Sequence, residues 1–457
     1  MRRAGLLSAE DAAKFDAVRR DPRAANVLFE AHRREVDPDS SPAAEPELVG
    51  IRKRDGLLDL PLGGGLLNGV LQPLTGALSG VDVPTPQPQG LVLIPGNDPN
   101  HQFQAPGPTD VRGLCPTLNT LANHGYISRD GITSFAEAAD AVQTGYGFAY
   151  DLSVFLSGLG LIAGGDLATG KYTIGGADSR VPNTLGLALG LDKHETFEVD
   201  GSITREDTYF GNNANFLLQR WEEYVNVSEV YGNFNMEMNA IDNVRARNRY
   251  DYSRETTPEF FAGALWLAVS HAERVFVFEG LSNGSTQSNG NFANVAPFFL
   301  NETFPPFWFR RPEPFSLASA VAEAVEMFLL NPRELGGNEG VGNFVPLSGQ
   351  NNISALSAPE LGCFLIENIL ELVPGQLEPE GTALGDVVLG FTKGVIAPFF
   401  VNDGYFNCDL SSFAAPGQNA GVVSGNKDDT PSVSSSGSPV NGAYPGIGVI
   451  APDSEPS

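Results

Sequence analysis

The chain has 457 residues, of which 42% are hydrophobic and only 18% are charged. Acidic residues outnumber basic ones by 55 to 28, and the formal net charge of −27 argues against nucleic acid and against anionic membrane surfaces, because both attract cations. No apolar run is long enough to span a bilayer. The length and the hydrophobic content predict a full core in one large domain or in two ordinary ones.

The composition divides the chain into three regions. Residues 1–100 begin with a charged amphipathic helix and continue, over 36–100, as a Pro- and Gly-rich extension. Residues 101–415 have apolar residues at helical spacing, which predicts a mostly α domain with long loops. Residues 416–457 hold few large apolar residues, which predicts a loose tail. The extension carries the apolar stretch "GGGLLNGVLQPLTGALSGV", which we expect either to cover the body or to form a homodimer contact.

Helical periodicity recurs throughout the body of the chain, whereas the strict alternation of a strand is scarce. The first of the long predicted helices of the body begins with Ser134 as its N-cap and has Glu137 three residues later, which is the pattern of a capping box. The predicted helices of the body cover residues 134–160, 213–232, 235–250, 257–278, 316–332 and 359–373.

Three cysteines are present, and the stretch "RGLCPTLNTLANHGY" holds one of them, Cys115, beside a proline at the start of a predicted helix. One interpretation is a small buried hydrophobic residue. The other is a thiolate, because a helix N-terminus or a metal ion lowers the pKa of a thiol. The odd count predicts one disulfide and one free thiol, and Cys363 and Cys408 are the natural pair because both lie in the C-terminal third.

The stretch "EVDGSITR" places Glu198, Asp200, Ser202 and Arg205 within eight positions. One interpretation is a solvated acidic loop that leads into a helix. The other is a Mg²⁺ site, because this cation prefers carboxylate, hydroxyl and carbonyl oxygens. Glu198 and Ser202 are four residues apart, so one helical turn would place both on the same face.

A single acidic residue, Glu273, interrupts the apolar run "ALWLAVSHAERVFVFEG". It is either a helix-surface residue paired with Arg274, or a carboxyl group in an apolar pocket whose pKa is raised by desolvation. In the second case it would serve as a general acid or base. His271 lies two residues earlier and would point to another side of the helix.

These stretches, in this order, resemble the heme-thiolate peroxidase family, which contains the fungal chloroperoxidase and the unspecific peroxygenases. The resemblance covers roughly residues 101–415 and rests on "LCPTLNTLANHGYISRDG", on "EVDGSITR" and, more weakly, on "SHAERVFV". It implies a single large multi-helix heme-binding domain that oxidises small apolar or aromatic substrates with hydrogen peroxide. It also implies a C-terminal disulfide, here between Cys363 and Cys408.

The resemblance carries roles over to particular residues. Cys115 is implied to be the proximal thiolate ligand of heme b, and Glu273 the distal acid–base residue. Glu198, the carbonyl of Val199 and Ser202 are implied to bind a Mg²⁺ that also contacts a heme propionate. Asp200 and Arg205 are implied to support this loop or the propionates.

Three positions depart from the family pattern. Leu114 replaces the first proline of the Pro-Cys-Pro loop, and Val199 stands where other members have Gly or His. Trp266 stands seven residues before Glu273, where the peroxygenases have an arginine. The charge partner of Glu273 is therefore open at this stage, and Glu302 is a second candidate for the acid–base residue.

Three other functions remain open. The same chemistry would support halide oxidation, although the absence of a His at position 199 counts mildly against it. A protein that binds heme with little turnover would result from the loss of the distal partner. The third alternative is an ordinary His-ligated peroxidase, in which His124, in place of Cys115, is the ligand of the heme iron.

The sequence also bears on localisation. Four sequons, at Asn226, Asn283, Asn301 and Asn352, together with a disulfide, favour a secretory route. The N-terminal segment "MRRAGLLSAEDAAKF" is basic but lacks the apolar core of a signal peptide. We therefore expect a secreted glycoprotein whose signal peptide is not evident.

Overall fold

The computed structural model describes residues 81–194, 196–210, 213–232, 239–286, 292–330, 332–347, 353–374, 383–401 and 404–425. The predicted N-terminal helix, the apolar stretch of the extension and Asn352 lie outside these residues. Within the described residues the fold is mostly α, as predicted. No described helix combines the length and the apolar content that crossing a membrane would require.

Twelve α-helices form the framework of the described residues. They are α1 (Pro116–Asn123), α2 (Phe135–Tyr146), α3 (Tyr150–Gly164), α4 (Leu218–Gly232), α5 (Asn239–Thr256), α6 (Ala264–Leu281), α7 (Phe292–Leu300), α8 (Leu317–Leu330), α9 (Ala358–Glu367), α10 (Ala383–Phe391), α11 (Pro398–Val401) and α12 (Ala420–Val423). Helices α6 and α8 pack against each other, and α8 also contacts α3, α5 and α9. This arrangement forms one connected hydrophobic core.

The helix predicted over 134–160 is two helices in the structure. The side chain of Ser134 accepts the N–H of Glu137 and caps α2, as predicted. The reciprocal bond of a capping box is not formed, because the Glu137 carboxylate accepts from the hydroxyls of Ser128 and Thr133 instead. The helix then ends at Gly147, which adopts the left-handed conformation with φ of 71°. A Cβ at this position would lie 2.9 Å from Arg311 Cγ. The chain turns at this glycine, and α3 folds back against α2.

Among the described residues, two small antiparallel sheets flank the helices, with strand orders β1-β3-β2 and β4-β5-β6. The second sheet shortens the helix predicted over 257–278, because Phe261 and Ala262 pair with β5 and α6 begins only at Ala264. The strands are β1 (Ile132–Ser134), β2 (Gly165–Asp166), β3 (Lys171–Thr173), β4 (Phe261–Ala262), β5 (Gly336–Asn338) and β6 (Phe344–Pro346).

The folded body extends beyond the predicted limits of 101 and 415. The guanidinium group of Arg310 donates to the carbonyl of Pro88 at 2.6 Å and to that of Gly90 at 3.0 Å, so the end of the extension lies against the body. At the other end, α12 contacts α6, and its Val422 and Val423 are buried. These two valines anchor the start of the predicted loose tail.

A disulfide joins Cys363 of α9 to Cys408, which confirms the predicted pair and leaves Cys115 as a free thiol. The bridge spans 45 residues of chain, including α10 and α11. It therefore restricts a long segment of the unfolded chain, and a longer closed loop gives a larger entropic effect.

We expect replacement of both Cys363 and Cys408 by serine to lower the free energy of unfolding by about 4 kcal/mol, as loop-closure entropy gives for a loop of this length. Urea unfolding of the oxidised protein and of the double variant measures the difference. The wild type under reducing conditions serves as a control and should match the variant. Equal stability of the three samples would contradict the prediction.

Candidate active site

A deep and largely apolar cavity opens between helices α1, α2, α3, α6 and α8. Aromatic rings from Phe155, Phe276 and Phe299 contribute to its wall. Among the described residues that line it, the groups able to ionise or bind a metal include Cys115, Glu198 and Glu273. An apolar pocket with a small number of convergent polar groups is typical of a binding or active site.

Cys115 lies in the wall of this cavity and is the N-cap of α1, with Pro116 in the first turn. Its Sγ lies 3.0 Å from Thr117 Oγ1. Burial raises the pKa of the Cys115 thiol, and the Thr117 hydrogen bond opposes this shift without overcoming it. The fold alone therefore favours the neutral thiol, and a thiolate at this position requires a bound metal ion that keeps the sulfur deprotonated.

His124 is not in the cavity wall, which argues against the alternative in which it binds the iron. Its Nδ1 lies 2.8 Å from the carbonyl of His101, and its Nε2 lies 2.9 Å from Thr303 Oγ1. Both ring nitrogens are therefore engaged in hydrogen bonds. Burial lowers the pKa of His124 to about 4, so the ring is neutral and fixes the end of α1 to the segment after α7.

Glu273 lies on α6 and lines the same cavity as Cys115. Its side chain is 26% exposed. Burial in an apolar wall raises the pKa of this carboxyl group to about 7, and Arg274 opposes the shift. A carboxyl group with this pKa is present in both its acid and its base form near neutral pH, as proton transfer requires.

The charge partner of Glu273 is Arg274, the next residue in the chain. Its Nη1 donates to Glu273 Oε1 at 2.8 Å, and its Nη2 donates to the carbonyl of Gly201 at 2.9 Å. The guanidinium group is completely buried, whereas a surface pair was one of the two interpretations of the sequence. Consecutive residues on a helix point in different directions, so helical spacing does not predict a contact between Glu273 and Arg274. Nor does it predict that Arg274 connects α6 to Gly201, in the loop that contains Glu198.

His271 does not act with Glu273. Its Nδ1 lies 2.9 Å from the carbonyl of Leu267, and its ring packs edge-on against Trp266 with centroids 5.4 Å apart. The indole N–H of Trp266 in turn donates to the carbonyl of Asp200 at 3.0 Å. Trp266, which stands where the peroxygenases have an arginine, thus holds the acidic loop (residues 198–205) by a hydrogen bond between uncharged groups.

The acidic loop is buried and crowded with carboxyl groups. His194 Nδ1 lies 2.7 Å from Glu198 Oε2, and the ligand atoms of His194, Glu198 and Asp200 all lie within 4.8 Å of one another. Burial raises the pKa of Asp200 well above its usual range, and the nearby Asp207 and Glu198 raise it further. A divalent cation would relieve this repulsion.

Glu198 and Ser202 both line the cavity, but the predicted helical turn between them is wrong. The segment is a loop, and Gly201 adopts the left-handed conformation with φ of 79°. The N–H of Gly201 donates to Asp207 Oδ1 at 3.0 Å. This turn, and not helical spacing, brings the two oxygen-bearing side chains to the same wall.

Two charged groups near the cavity have buried polar atoms without a hydrogen-bond partner among the described residues. These atoms are Nε and Nη2 of Arg205 and Oε1 of Glu198. The Arg205 side chain is 1% exposed, and Glu302 is the acidic group that acts on it most strongly, followed by Cys115. Buried charges of this kind need an ionic partner. A cofactor with its own carboxylates would pair with Arg205, and a cation would pair with Glu198, so these residues fit heme with an adjacent divalent metal.

Glu302, the second candidate for the acid–base residue, does not line the cavity. Its Oε1 accepts the side-chain N–H of Asn119 at 2.7 Å, and its backbone has a positive φ of 47°. Burial raises the pKa of Glu302 to about 8, so the neutral acid is the main form at neutral pH. Its hydrogen bonds with Asn119 and Asn123 tie the segment after α7 to α1.

The fold and site are therefore those expected of an α-helical enzyme, with a free thiol and a carboxyl group of raised pKa in one apolar cavity. Comparison with known proteins identifies its family. Residues 101–313, which contain the three cavity groups, match the family described as "Peroxidase, family 2". The chain is 33% identical over 235 residues to an aromatic peroxygenase of Coprinellus radians, covering 49% of this chain and 88% of the relative.

Two further relatives support this assignment. A dothistromin biosynthesis peroxidase of Dothistroma septosporum is 30% identical over 367 residues, or 70% of this chain and 86% of the relative. A chloroperoxidase of Leptoxyphium fumago is 27% identical over 257 residues, or 51% of this chain and 63% of the relative. The chain belongs to the fungal heme-thiolate peroxidase family. It is an enzyme that uses peroxide, and heme is its cofactor.

Proposed function

We propose that this enzyme transfers oxygen from hydrogen peroxide to small apolar or aromatic molecules, with heme b held by Cys115. The observation that carries this proposal is the presence of Cys115 and Glu273 in the wall of one apolar cavity. The heme supplies the redox chemistry, and a thiolate ligand favours cleavage of the O–O bond. The same cavity would admit phenols for one-electron oxidation.

The protein residues supply the proton transfer. Glu273 in its base form accepts a proton from one oxygen of hydrogen peroxide and, as the acid, returns it to the other oxygen. Arg274 Nη1 donates to Glu273 Oε1 at 2.8 Å and stabilises the negative form of this carboxyl group. Because Arg274 is completely buried, water screens this interaction very little.

The cavity wall determines which substrates can approach. Phe155, Phe276 and Leu265 present apolar surface, which favours organic molecules that lose their hydration on entry. Halide oxidation is the second candidate within this chemistry. The largely apolar wall gives a halide ion little compensation for its lost hydration, so it favours the organic substrate.

The absorption spectrum of the dithionite-reduced protein under carbon monoxide tests the axial ligand. We expect a strongly red-shifted Soret band in the wild type, and its loss in the Cys115→Ser variant, because only a thiolate ligand produces this shift. Product analysis with peroxide that carries heavy oxygen tests the transfer. Unlabelled product, or heme binding without turnover, would contradict oxygen transfer, and halogenated product in chloride would favour the second candidate.

The acidic loop is proposed to hold Mg²⁺ through the carboxylate of Glu198, the carbonyl of Val199 and the hydroxyl of Ser202. Glu198 Oε1 supports this proposal, because it is buried and has no partner among the described residues. Asp200 accepts the N–H of Thr208 at 3.1 Å and shapes the loop. Arg205 is proposed to pair with a heme propionate.

Addition of Mg²⁺ to chelator-treated enzyme should raise the melting temperature, because a cation that binds only the folded state stabilises it by about 2.7 kcal/mol at a hundred times its Kd. The Glu198→Gln variant should lose this response. Glu206→Gln is the control, since Glu206 pairs with Arg220 outside the cavity. An unchanged response in the Glu198 variant would exclude this site.

Secretion as a glycoprotein is also proposed, on the basis of the disulfide and of two exposed sequon residues, Asn226 and Asn301. Asn283 does not suit a glycan, because it is 8% exposed and its Nδ2 donates to the carbonyl of Phe307 at 3.1 Å. Glycosidase treatment followed by peptide mass analysis of the protein from its native source tests this. Unmodified Asn226 and Asn301 would argue against it.

A further inference from the structure

The backbone just before Cys115 is held by side chains from two directions. Asn119 Oδ1 accepts the N–H of Gly113 at 3.0 Å, and its Nδ2 donates to the carbonyl of the same residue at 2.8 Å. From the other side, Asp192 Oδ1 accepts the N–H of Leu114 at 2.9 Å. The two residues that precede the free thiol are therefore fixed by hydrogen bonds to buried side chains.

Asp192 is itself rigidly placed. It is 2% exposed, its N–H donates to the carbonyl of Gly175 at 3.2 Å, and its carbonyl accepts from Asn213 Nδ2 at 3.0 Å. The approach to the cysteine loop is so close that a Cβ on Gly113 would lie 2.6 Å from Asp192 Oδ1. The carboxyl group thus contacts the loop directly, with no space for water between them.

We infer that Asp192 is a positioning residue for the axial sulfur and sets the orientation of Cys115 through the N–H of Leu114. This inference rests on the proposed function, in which Cys115 binds the heme iron. Groups that orient a metal ligand commonly change metal affinity or activity by roughly 10- to 100-fold when they are removed. Asp192 acts one peptide away from the ligand and does not line the cavity.

The residue at position 114 matters for the same reason. A proline there would have no N–H to donate, so Asp192 would be left without this bond. Leu114 instead provides the donor, and a fixed hydrogen bond takes over the restraint that a proline ring would impose. The departure of Leu114 from the Pro-Cys-Pro pattern is therefore matched by the carboxyl group of Asp192.

The test compares three variants of the heme-loaded enzyme, Asp192→Ala, Asp192→Asn and Leu114→Pro. The readout is the fraction of the reduced, carbon monoxide-bound protein with the red-shifted band, followed over time and temperature. We expect Asp192→Ala to lose the thiolate-bound form roughly 10 to 100 times faster than the wild type. Asp192→Asn keeps an acceptor oxygen and should retain most of the band.

Asp166→Ala is the matched control. Asp166 is also completely buried and accepts a loop N–H, that of Leu185, at 2.6 Å, but it lies outside the cavity wall. Its replacement should lower the melting temperature while the thiolate band stays intact. Leu114→Pro alone should keep most of the band, because the proline ring supplies the restraint that the bond supplied. Adding Asp192→Ala to Leu114→Pro should then cause little further loss, because the bond is already absent.

The outcomes distinguish failure of Cys115 as the axial ligand from failure of Asp192 as its positioning residue. If the wild type lacks the red-shifted band, the proposed axial ligand itself fails. If the wild type has the band and Asp192→Ala keeps it as well as Asp166→Ala does, Asp192 has only a structural role and the inference fails. Loss of the band in Asp192→Asn to the same extent as in Asp192→Ala would likewise show that the acceptor oxygen is not what matters.

Discussion

Replacement of Glu273 by glutamine should lower the rate of peroxide-driven oxidation by roughly 10²- to 10⁴-fold, which is the range for loss of a positioned acid–base group. Glutamine keeps the shape of the side chain and its hydrogen bond from Arg274, but it cannot take up or release a proton. Steady-state kinetics with a small aromatic substrate measures the loss. The carbon monoxide spectrum should be unchanged, because Cys115 is not altered.

Glu279→Gln provides the control for this variant. Glu279 lies on the same helix, α6, and pairs with Arg311, but it does not line the cavity. Its replacement should leave the rate within a few-fold of the wild type. A Glu273→Gln enzyme that keeps its full rate would show that another group carries the proton and would remove the assignment.

The second prediction concerns Arg274→Met and follows from the sign of its electrostatic effect. The guanidinium charge lowers the pKa of Glu273 from the still higher value that burial alone would give, and the result is about 7. Removing the charge raises this pKa, so a smaller fraction of Glu273 is in the base form at neutral pH. The acidic limb of the profile of kcat/KM against pH should therefore move to higher pH. Because the base form is the active one, kcat/KM at neutral pH should fall about fivefold for the first pH unit that the limb moves and about tenfold for each further unit.

Arg274→Lys separates charge from structure. Lysine keeps the positive charge but not the planar fork that contacts both Glu273 and the carbonyl of Gly201. In the Lys variant, the acidic limb should lie between its positions in the Met variant and in the wild type. In the Met variant, activity should recover as the pH is raised. A uniform loss at every pH, in both variants, would mean that Arg274 only supports the loop at Gly201.

The local features of the sequence determined the parts of the site that depend on a short stretch of chain. Cys115 next to Pro116 at the start of a helix, the N-cap at Ser134 and the disulfide partners were all predicted correctly. Each depends on a few neighbouring residues or, for the disulfide, on a count of three cysteines. The family resemblance added the expected roles of Glu198 and Glu273.

Only the tertiary structure decided how distant segments meet. It bonded Glu302 to Asn119 of α1 instead of placing it in the cavity wall, and it paired Arg274 with Glu273 while burying the arginine. It also joined Asp192 to Leu114 across 78 residues of chain. Hydrogen bonds and desolvation act through space between groups that are far apart in sequence, so periodicity and spacing carry no information about them. For this enzyme, the sequence determined which groups can do the chemistry, and packing decided their surroundings and therefore their protonation.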